Sequence, residues 1–180
     1  MAGRGAIVAE ARAWMGTPYR HQASLKGVGC DCLGLVRGVW RALLGEEPER
    51  VPGYTRDWSE AGGAEALAEA GRRHLVEIDP ATARPGDVLV FRMRPGGPAK
   101  HAGILICREA ASSGRSADTA SGEGPAGWAA CRDAALSRNA ASGSGRFVHA
   151  YEGAGVVTTR LTRWWAGRLA YAFAFPGVDD

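Results

Sequence analysis

The sequence predicts an α+β fold in which N-terminal helices pack on an antiparallel sheet. In the first half, apolar residues recur with helical spacing, whereas the second half contains short apolar or alternating segments separated by turns. The helices precede the strands instead of alternating with them, which is typical of α+β proteins. A length of 180 residues suits one domain, so we expect residues 1–180 to form a single unit.

Three helices are predicted in the first half. The first covers residues 5–15, where an apolar face ends before a glycine and a proline. The second runs from Cys32 to Leu44, where apolar residues recur every three or four positions until Gly45 gives a stop signal. The third is predicted over residues 57–70, and Gly71 is expected to end it.

Five strands are predicted after the turn at Pro85 and Gly86. They cover residues 88–91, 102–107, 147–151, 156–161 and 171–175. In the last of them aromatic residues alternate with alanine, which places Tyr171, Phe173 and Phe175 on one face. Residues 109–146 are rich in Ala, Ser, Gly and Arg, and this composition predicts a flexible insertion within a β-hairpin.

Composition and charge exclude several classes of function. The net charge of +3 is too small, and basic residues too scattered, to indicate a nucleic-acid-binding protein. No segment approaches the ~18 apolar residues of a membrane span. The N-terminal residues lack the pattern of a secretory signal, so the sequence predicts a chain made in the cytoplasm without a signal peptide.

The four cysteines do not predict a metal site. Cys30 and Cys32 lie close together, but Cys107 and Cys131 stand alone and supply no second close pair for zinc. We therefore expect neither a metal nor an organic cofactor.

Cys32 is the candidate nucleophile because it begins the predicted second helix. The unpaired N–H groups and partial positive charge of a helix N-terminus favour a thiolate over a thiol. Asp31 directly precedes it and suits the N-cap position. Cys30 is interpreted as a small buried hydrophobic residue.

Two histidines can complete a site with this thiol. His101 opens one predicted strand and His149 lies in a later one. If the two strands pair as a hairpin, both rings face the same side as near-diagonal neighbours. A cysteine, a base and an orienting group form the minimal set for thiol acyl transfer. His21 and His74 are interpreted as surface groups.

Five sequence blocks, in order, resemble the NlpC-type cell-wall cysteine peptidases. The blocks are Gly16-Thr17-Pro18-Tyr19, then Cys30-Asp31-Cys32-Leu33-Gly34-Leu35-Val36, Arg84-Pro85-Gly86-Asp87, His101-Ala102-Gly103-Ile104-Leu105 and Phe147-Val148-His149-Ala150. Residues 31–45 are most similar to the subgroup encoded with phage tails and gene transfer agents.

The resemblance implies a papain-like core with Cys32 as nucleophile, His101 as base and His149 as the orienting residue. It also implies that Asp31 holds a free amino group in the substrate pocket and that Tyr19 lines the cleft. The implied substrate is the stem peptide of peptidoglycan, cut between γ-D-glutamate and a diamino acid. The implied partners are hub or tip proteins of a phage-like tail, which would carry the chain to a target cell envelope.

Two other functions stay open at this point. Leu33 stands where most relatives have serine, and together with the insertion it is compatible with a structural tail-tip or docking subunit that keeps the peptidase fold. Amide hydrolysis or acyl transfer on another substrate is the third reading, since one fold can host several chemistries.

Overall fold

A computed structural model describes residues 3–55, 65–108 and 145–178. Within these ranges the three longest helices pack on one face of an antiparallel sheet, which confirms the predicted α+β class. The helices are α1 (Arg4–Ala13), α2 (Cys32–Leu44), α3 (Ala66–His74) and α4 (Arg163–Ala166), with a 3₁₀ turn at Pro80–Thr82. The strands are β1 (Ser24–Leu25), β2 (Gly29–Cys30), β3 (Val76–Ile78), β4 (Val88–Phe91), β5 (His101–Arg108), β6 (Gly145–Tyr151), β7 (Gly155–Arg160) and β8 (Leu169–Ala174).

The main sheet has the strand order β3-β8-β4-β5-β6-β7, and every neighbouring pair is antiparallel. Its strands alternate between two buried cores, as the period of two requires. Val88 and Val90 of β4 face the core under α1 and α2, whereas Leu89 and Phe91 face a second core on the opposite side. A sheet covered on both faces explains why β4 is apolar throughout.

Helix α2 has the bounds predicted from the sequence, Cys32–Leu44. Asp31 caps its first turn and Gly45 follows its last residue with a φ of 95°, a conformation that glycine adopts without strain. The buried face includes Leu35 and Val39, both fully excluded from solvent. This helix therefore presents its N-terminus from a fixed position on the sheet.

The predicted end of the third helix is wrong. Helix α3 continues through Gly71 to His74, and the predicted residues 57–64 lie outside the described part of the chain. Gly71 is a packing residue, because a Cβ atom there would lie 2.8 Å from Cζ of Phe173. A glycine required for close approach of a neighbour looks in sequence like a glycine that ends a helix.

The remaining differences concern short elements and the insertion. The sequence did not predict the two-residue strands β1 and β2, the edge strand β3 or the single-turn helix α4. Residues 145 and 146 of the predicted insertion belong to strand β6, and the rest of it lies outside the described residues. Among the helices of the described ranges, none is long and apolar enough to cross a membrane.

We predict that Gly38→Ala lowers the free energy of unfolding by about 1–3 kcal/mol, the usual cost of overpacking. Gly38 lies in α2, and a Cβ atom there would collide with the indole ring of Trp14 beyond α1. Urea denaturation followed by circular dichroism measures the change. Gly5→Ala in α1 is the control, because a Cβ atom there meets nothing within 4 Å, so this variant should keep or slightly raise stability. Equal effects of both substitutions would contradict the packing argument.

Candidate active site

The candidate site begins where the loop after β2 turns into α2. Asp31 is the N-cap, and its Oδ1 accepts a hydrogen bond of 2.8 Å from the Gly34 N–H. Gly34 itself cannot carry a side chain, since a Cβ atom there would collide with the Ala23 carbonyl oxygen. The first turn of α2 is therefore held tightly against the preceding loop, and Cys32 has a defined place.

The second oxygen of Asp31 ties two more segments to this helix start. Oδ2 accepts hydrogen bonds from the backbone N–H of Gln22 at 2.7 Å and from the Tyr54 hydroxyl at 2.5 Å. The Nδ1 atom of His21 lies 3.6 Å from the same oxygen, and its Nε2 lies 2.8 Å from the Tyr54 carbonyl oxygen. Asp31 is only 3% exposed, so this carboxylate is a buried charge satisfied by its neighbours.

The Cys32 thiol lies between this helix start and the beginning of β5. Its Sγ is 3.9 Å from the Lys100 carbonyl oxygen and donates to it. Burial, and then the negative charge of Asp31, raise the pKa of Cys32 to about 11. The N–H groups of Ala102, Leu33 and Cys32 act in the opposite direction.

The helix start does not by itself decide the protonation state of Cys32 in the free protein. The helix N-terminus does favour the charged form, but desolvation and the adjacent carboxylate outweigh it. At neutral pH the group is a thiol, and a base must remove its proton.

His101 and His149 are in contact, as the hairpin argument predicted. His101 Nε2 and His149 Nδ1 are 2.8 Å apart, and the two rings meet edge to face. Both histidines contact Phe91, Phe147 or Trp165, which belong to the core on the side of the sheet away from α1 and α2.

A third hydrogen-bonding group continues this chain of contacts. His149 Nε2 lies 2.8 Å from Oγ1 of Thr159 in β7. The series His101–His149–Thr159 thus crosses three neighbouring strands on one face of the sheet. The sequence analysis did not identify Thr159, because a threonine in a Val-Val-Thr-Thr segment is typical of any strand.

Gly103 makes the close approach of the two histidines possible. A Cβ atom at this position would lie 2.6 Å from Cδ2 of Phe147 and 3.2 Å from Cβ of His149. Only glycine leaves room for these two side chains against β5.

Both imidazoles are neutral at physiological pH. Burial, and then the proximity of His149, lower the pKa of His101 to about 3. Burial lowers the pKa of His149 to about 4, and His149 is 2% exposed. A neutral His101 keeps one ring nitrogen free of a proton, which is the state that a general base needs.

A cleft of about 500 Å³ opens over the thiol. Four of the five predicted site residues line it, namely Tyr19, Asp31, Cys32 and His101, while His149 lies behind His101. The cleft also contains residues that the sequence did not single out for the site, including His21, Tyr54 and Tyr151. His21, interpreted from the sequence as a surface group, is partly exposed in this cleft and contacts Asp31 and Tyr54.

The other described cysteines do not take part in this site. Cys30 is fully buried, and burial is the main cause that raises its pKa to about 12. Cys107 is also buried. Within residues 3–55, 65–108 and 145–178, no group of three or more His, Cys, Asp or Glu side chains is placed to hold a metal ion.

The arrangement joins a thiol, a neutral imidazole and backbone N–H groups at one end of a cleft. These are the parts required for nucleophilic attack on a carbonyl carbon, with proton transfer to the imidazole and stabilisation of an oxyanion by N–H donors.

Comparison with known proteins relates the chain to one family and to solved structures. The NlpC/P60 family profile matches residues 16–172. The crystal structure of the NlpC/p60 domain of the peptidoglycan hydrolase SagA is 23% identical and superposes with a TM-score of 0.53, covering 97% of this chain and all of that one. A search of curated proteins gave no match.

Two larger proteins share the fold over part of their length. An NLP/P60 family protein from Staphylococcus aureus, described as similar to a lipoprotein, is 20% identical with a TM-score of 0.53 over 98% of this chain and 42% of its own. An NlpC/P60 family protein from Bacillus cereus is 16% identical with a TM-score of 0.56 over 97% of this chain and 40% of its own. The chain thus spans about two fifths of these two proteins, and likeness at this level of identity concerns the fold.

We predict that Asp31→Asn makes Cys32 more reactive at neutral pH and the protein less stable. Removing the adjacent negative charge lowers the pKa of the thiol. At a pH below this pKa, each unit by which the pKa falls increases the thiolate fraction about tenfold. The asparagine amide replaces one acceptor oxygen with an NH₂ group, which then faces the N–H of Gln22 or Gly34 or the O–H of Tyr54. Such a loss of a hydrogen bond costs about 1–3 kcal/mol.

The measurement is the rate of Cys32 alkylation by iodoacetamide from pH 7 to 10, mapped by peptide mass spectrometry. In the unsubstituted protein the rate should climb through this whole range, because the thiol pKa lies above it. The control is Asp79→Asn, the same change at the cap of the 3₁₀ turn, where Oδ1 accepts from the Ala81 N–H. An alkylation rate at Cys32 that Asp31→Asn leaves unchanged would refute the electrostatic argument.

Proposed function

The chain belongs to the NlpC/P60 family, and from this premise we propose that it is a cysteine peptidase that hydrolyses peptidoglycan stem peptides. The observation that carries the proposal is the placement of the Cys32 thiol at the start of α2, in one cleft with His101. His101 is in turn backed by His149 at 2.8 Å. This is the set of groups that thiol-dependent amide hydrolysis requires.

In the proposed reaction the thiol and the imidazole both begin neutral. His101 uses Nε2 for its contact with His149, so Nδ1 is the nitrogen that takes the Cys32 proton. Because burial raises the pKa of the thiol and lowers that of the imidazole, transfer before attack is uphill. The proton therefore moves as the bond between sulfur and the carbonyl carbon forms.

The later steps use groups at the same place. N–H groups of the first turn of α2, among them that of Cys32, stabilise the oxyanion of the tetrahedral intermediate. His101 then returns the proton to the departing amine, which leaves a thioester on Cys32. Water, with its proton taken by His101, resolves the thioester and regenerates the thiol.

The proposed substrate contacts follow from the cleft. Tyr19 forms part of its wall and is proposed to pack along the peptide. Oδ2 of Asp31 already accepts two hydrogen bonds, from Gln22 and Tyr54. Asp31 is therefore proposed to attract a substrate amino group mainly through its charge. Leu33 offers no hydroxyl for such an amine, so a free N-terminus is a weaker requirement here.

The proposal includes the bond between γ-D-glutamate and the diamino acid, which the sequence resemblance supports. We predict that purified peptidoglycan incubated with the protein yields fragments whose new N-terminus is the diamino acid. Cys32→Ala should abolish these fragments, because no other described thiol lines the cleft. Cys30→Ala, a change two residues away in the core, should keep most of the activity and serves as the matched control.

Mass spectrometry of the fragments separates the alternatives. Cleavage at a different amide would support the proposed peptidase chemistry but refute the proposed cleavage site. A folded protein that releases no fragments, and whose Cys32 is not labelled by an electrophilic stem-peptide analogue, would favour the structural tail subunit instead. Equal loss of activity in Cys30→Ala and Cys32→Ala would contradict the assignment of the nucleophile.

We also propose that the protein acts as part of a phage-like tail. The support is the similarity of residues 31–45 to peptidases encoded with phage tails and gene transfer agents. Expression with the structural genes of such a particle, followed by density-gradient purification, should recover the chain in the particle fraction. Recovery only as free protein would refute this role without affecting the proposed chemistry.

A further inference from the structure

Thr159 ends the line of hydrogen-bonded groups that starts at His101. We propose that Thr159 is a positioning residue: by accepting a hydrogen bond from His149, it holds His101 in the tautomer that can take the Cys32 proton. The inference rests on the proposed peptidase function. The two contacts that carry it are His101 Nε2 to His149 Nδ1 and His149 Nε2 to Thr159 Oγ1, each 2.8 Å long.

Only two proton arrangements satisfy both contacts, because a neutral imidazole has one N–H donor and one acceptor nitrogen. In the first, His101 donates from Nε2 to His149, and His149 donates from Nε2 to the Thr159 oxygen. In the second, all directions are reversed: Thr159 donates to His149, and His149 donates to His101. The second arrangement places the remaining proton of His101 on Nδ1.

The direction of this chain decides whether His101 can act as a base. The nitrogen available to the thiol is Nδ1, since Nε2 contacts His149. Nδ1 can accept a proton only in the first arrangement, in which Thr159 is the acceptor. A hydroxyl has two lone pairs and a rotatable hydrogen, and Thr159 is partly exposed. Its hydrogen can therefore rotate away from His149 while its oxygen accepts from His149.

Burial of His149 makes this hydroxyl difficult to replace. His149 is 2% exposed, and its ring packs against Phe147, Tyr151 and Trp165 at centroid distances of 4.7, 5.6 and 5.3 Å. A buried N–H without an acceptor costs about 1–3 kcal/mol. Without the threonine oxygen, His149 would favour carrying its proton on Nδ1, which forces the unproductive tautomer on His101.

The strand register explains why Thr159 lies at this place. In the antiparallel pair of β6 and β7, Thr159 is opposite Phe147 and Val157 is opposite His149. Opposed residues share a face, so Thr159 is a diagonal neighbour of His149 on the same side of the sheet. Thr158 is opposite Val148, on the other face, and its hydroxyl contacts Sδ of Met15. Adjacent threonines thus provide a test position and a matched control.

The test compares Thr159→Val, Thr159→Ser and Thr158→Val. Valine keeps the shape and removes the acceptor, whereas serine restores it. We expect Thr159→Val to lower kcat for stem-peptide hydrolysis about tenfold with little change in KM, as expected for the loss of one buried hydrogen bond. Thr159→Ser should stay within about twofold of the unsubstituted protein, and Thr158→Val should not differ from it.

A second measurement needs no substrate. Nitrogen-15 NMR of histidine-labelled protein distinguishes the two neutral tautomers of each ring. His149 should carry its proton on Nε2 in the unsubstituted protein and in Thr159→Ser, and shift toward Nδ1–H in Thr159→Val. If no variant cleaves peptidoglycan, the proposed function fails while this measurement still decides the role of Thr159.

Three results would overturn the inference. One is a Thr159→Val protein with unchanged kcat and unchanged His149 tautomer. Another is equal loss of kcat in the serine and valine variants, which would indicate packing instead of hydrogen bonding. The third is an unsubstituted protein in which His149 carries its proton on Nδ1.

Discussion

The candidate site depends on the hydrogen bonds that the buried carboxylate of Asp31 accepts. One of its oxygens caps α2 through the Gly34 N–H, and the other binds the backbone at Gln22 and the hydroxyl of Tyr54. Three separate chain segments thereby converge on the residue before the candidate nucleophile. Removing a single hydrogen-bonded group of this kind affects every segment that it joins. The same charge raises the pKa of Cys32, so the contact that positions the thiol also keeps it protonated.

The sheet contributes His101 and His149 from the face that lies away from α1 and α2. The core between the helices and the sheet includes Ala102 and Val148, whereas His101 and His149 contact aromatic rings of the other core. Cys32 reaches β5 at its first residues, next to the Lys100 carbonyl and the Ala102 N–H. The candidate site is therefore located where the start of α2 meets the start of β5. Both elements are held in place by the hydrophobic cores on the two faces of the sheet.

The sequence predicts the parts of this structure whose signals are local. Helix α2 has a cap, an amphipathic pattern and a final glycine within one segment, and its bounds agree with the structure. The pairing of His101 with His149 follows from strand periodicity once a hairpin is assumed. Parts that depend on tertiary contact are missed. Gly71 resembles a helix end but accommodates Phe173, and the two-residue strands are too short to show a period. Thr159 and Tyr54 have no local sequence signal, because their contacts with His149 and Asp31 form only on folding.

The neutrality of Cys32, His101 and His149 follows from their burial. A carboxylate behind His101 would favour an imidazolium, but His149 is itself neutral, and burial lowers the pKa values of both rings. Cys32, with its pKa raised to about 11, is a poor nucleophile toward reagents that merely diffuse into the cleft, since thiolates and not thiols react. The proposed reaction then requires a carbonyl carbon held against Sγ, so that loss of the proton to His101 coincides with bond formation. In such a site the direction of the proton chain through His149 matters more than charge, because the group that contacts His101 Nε2 is a neutral imidazole and not a carboxylate.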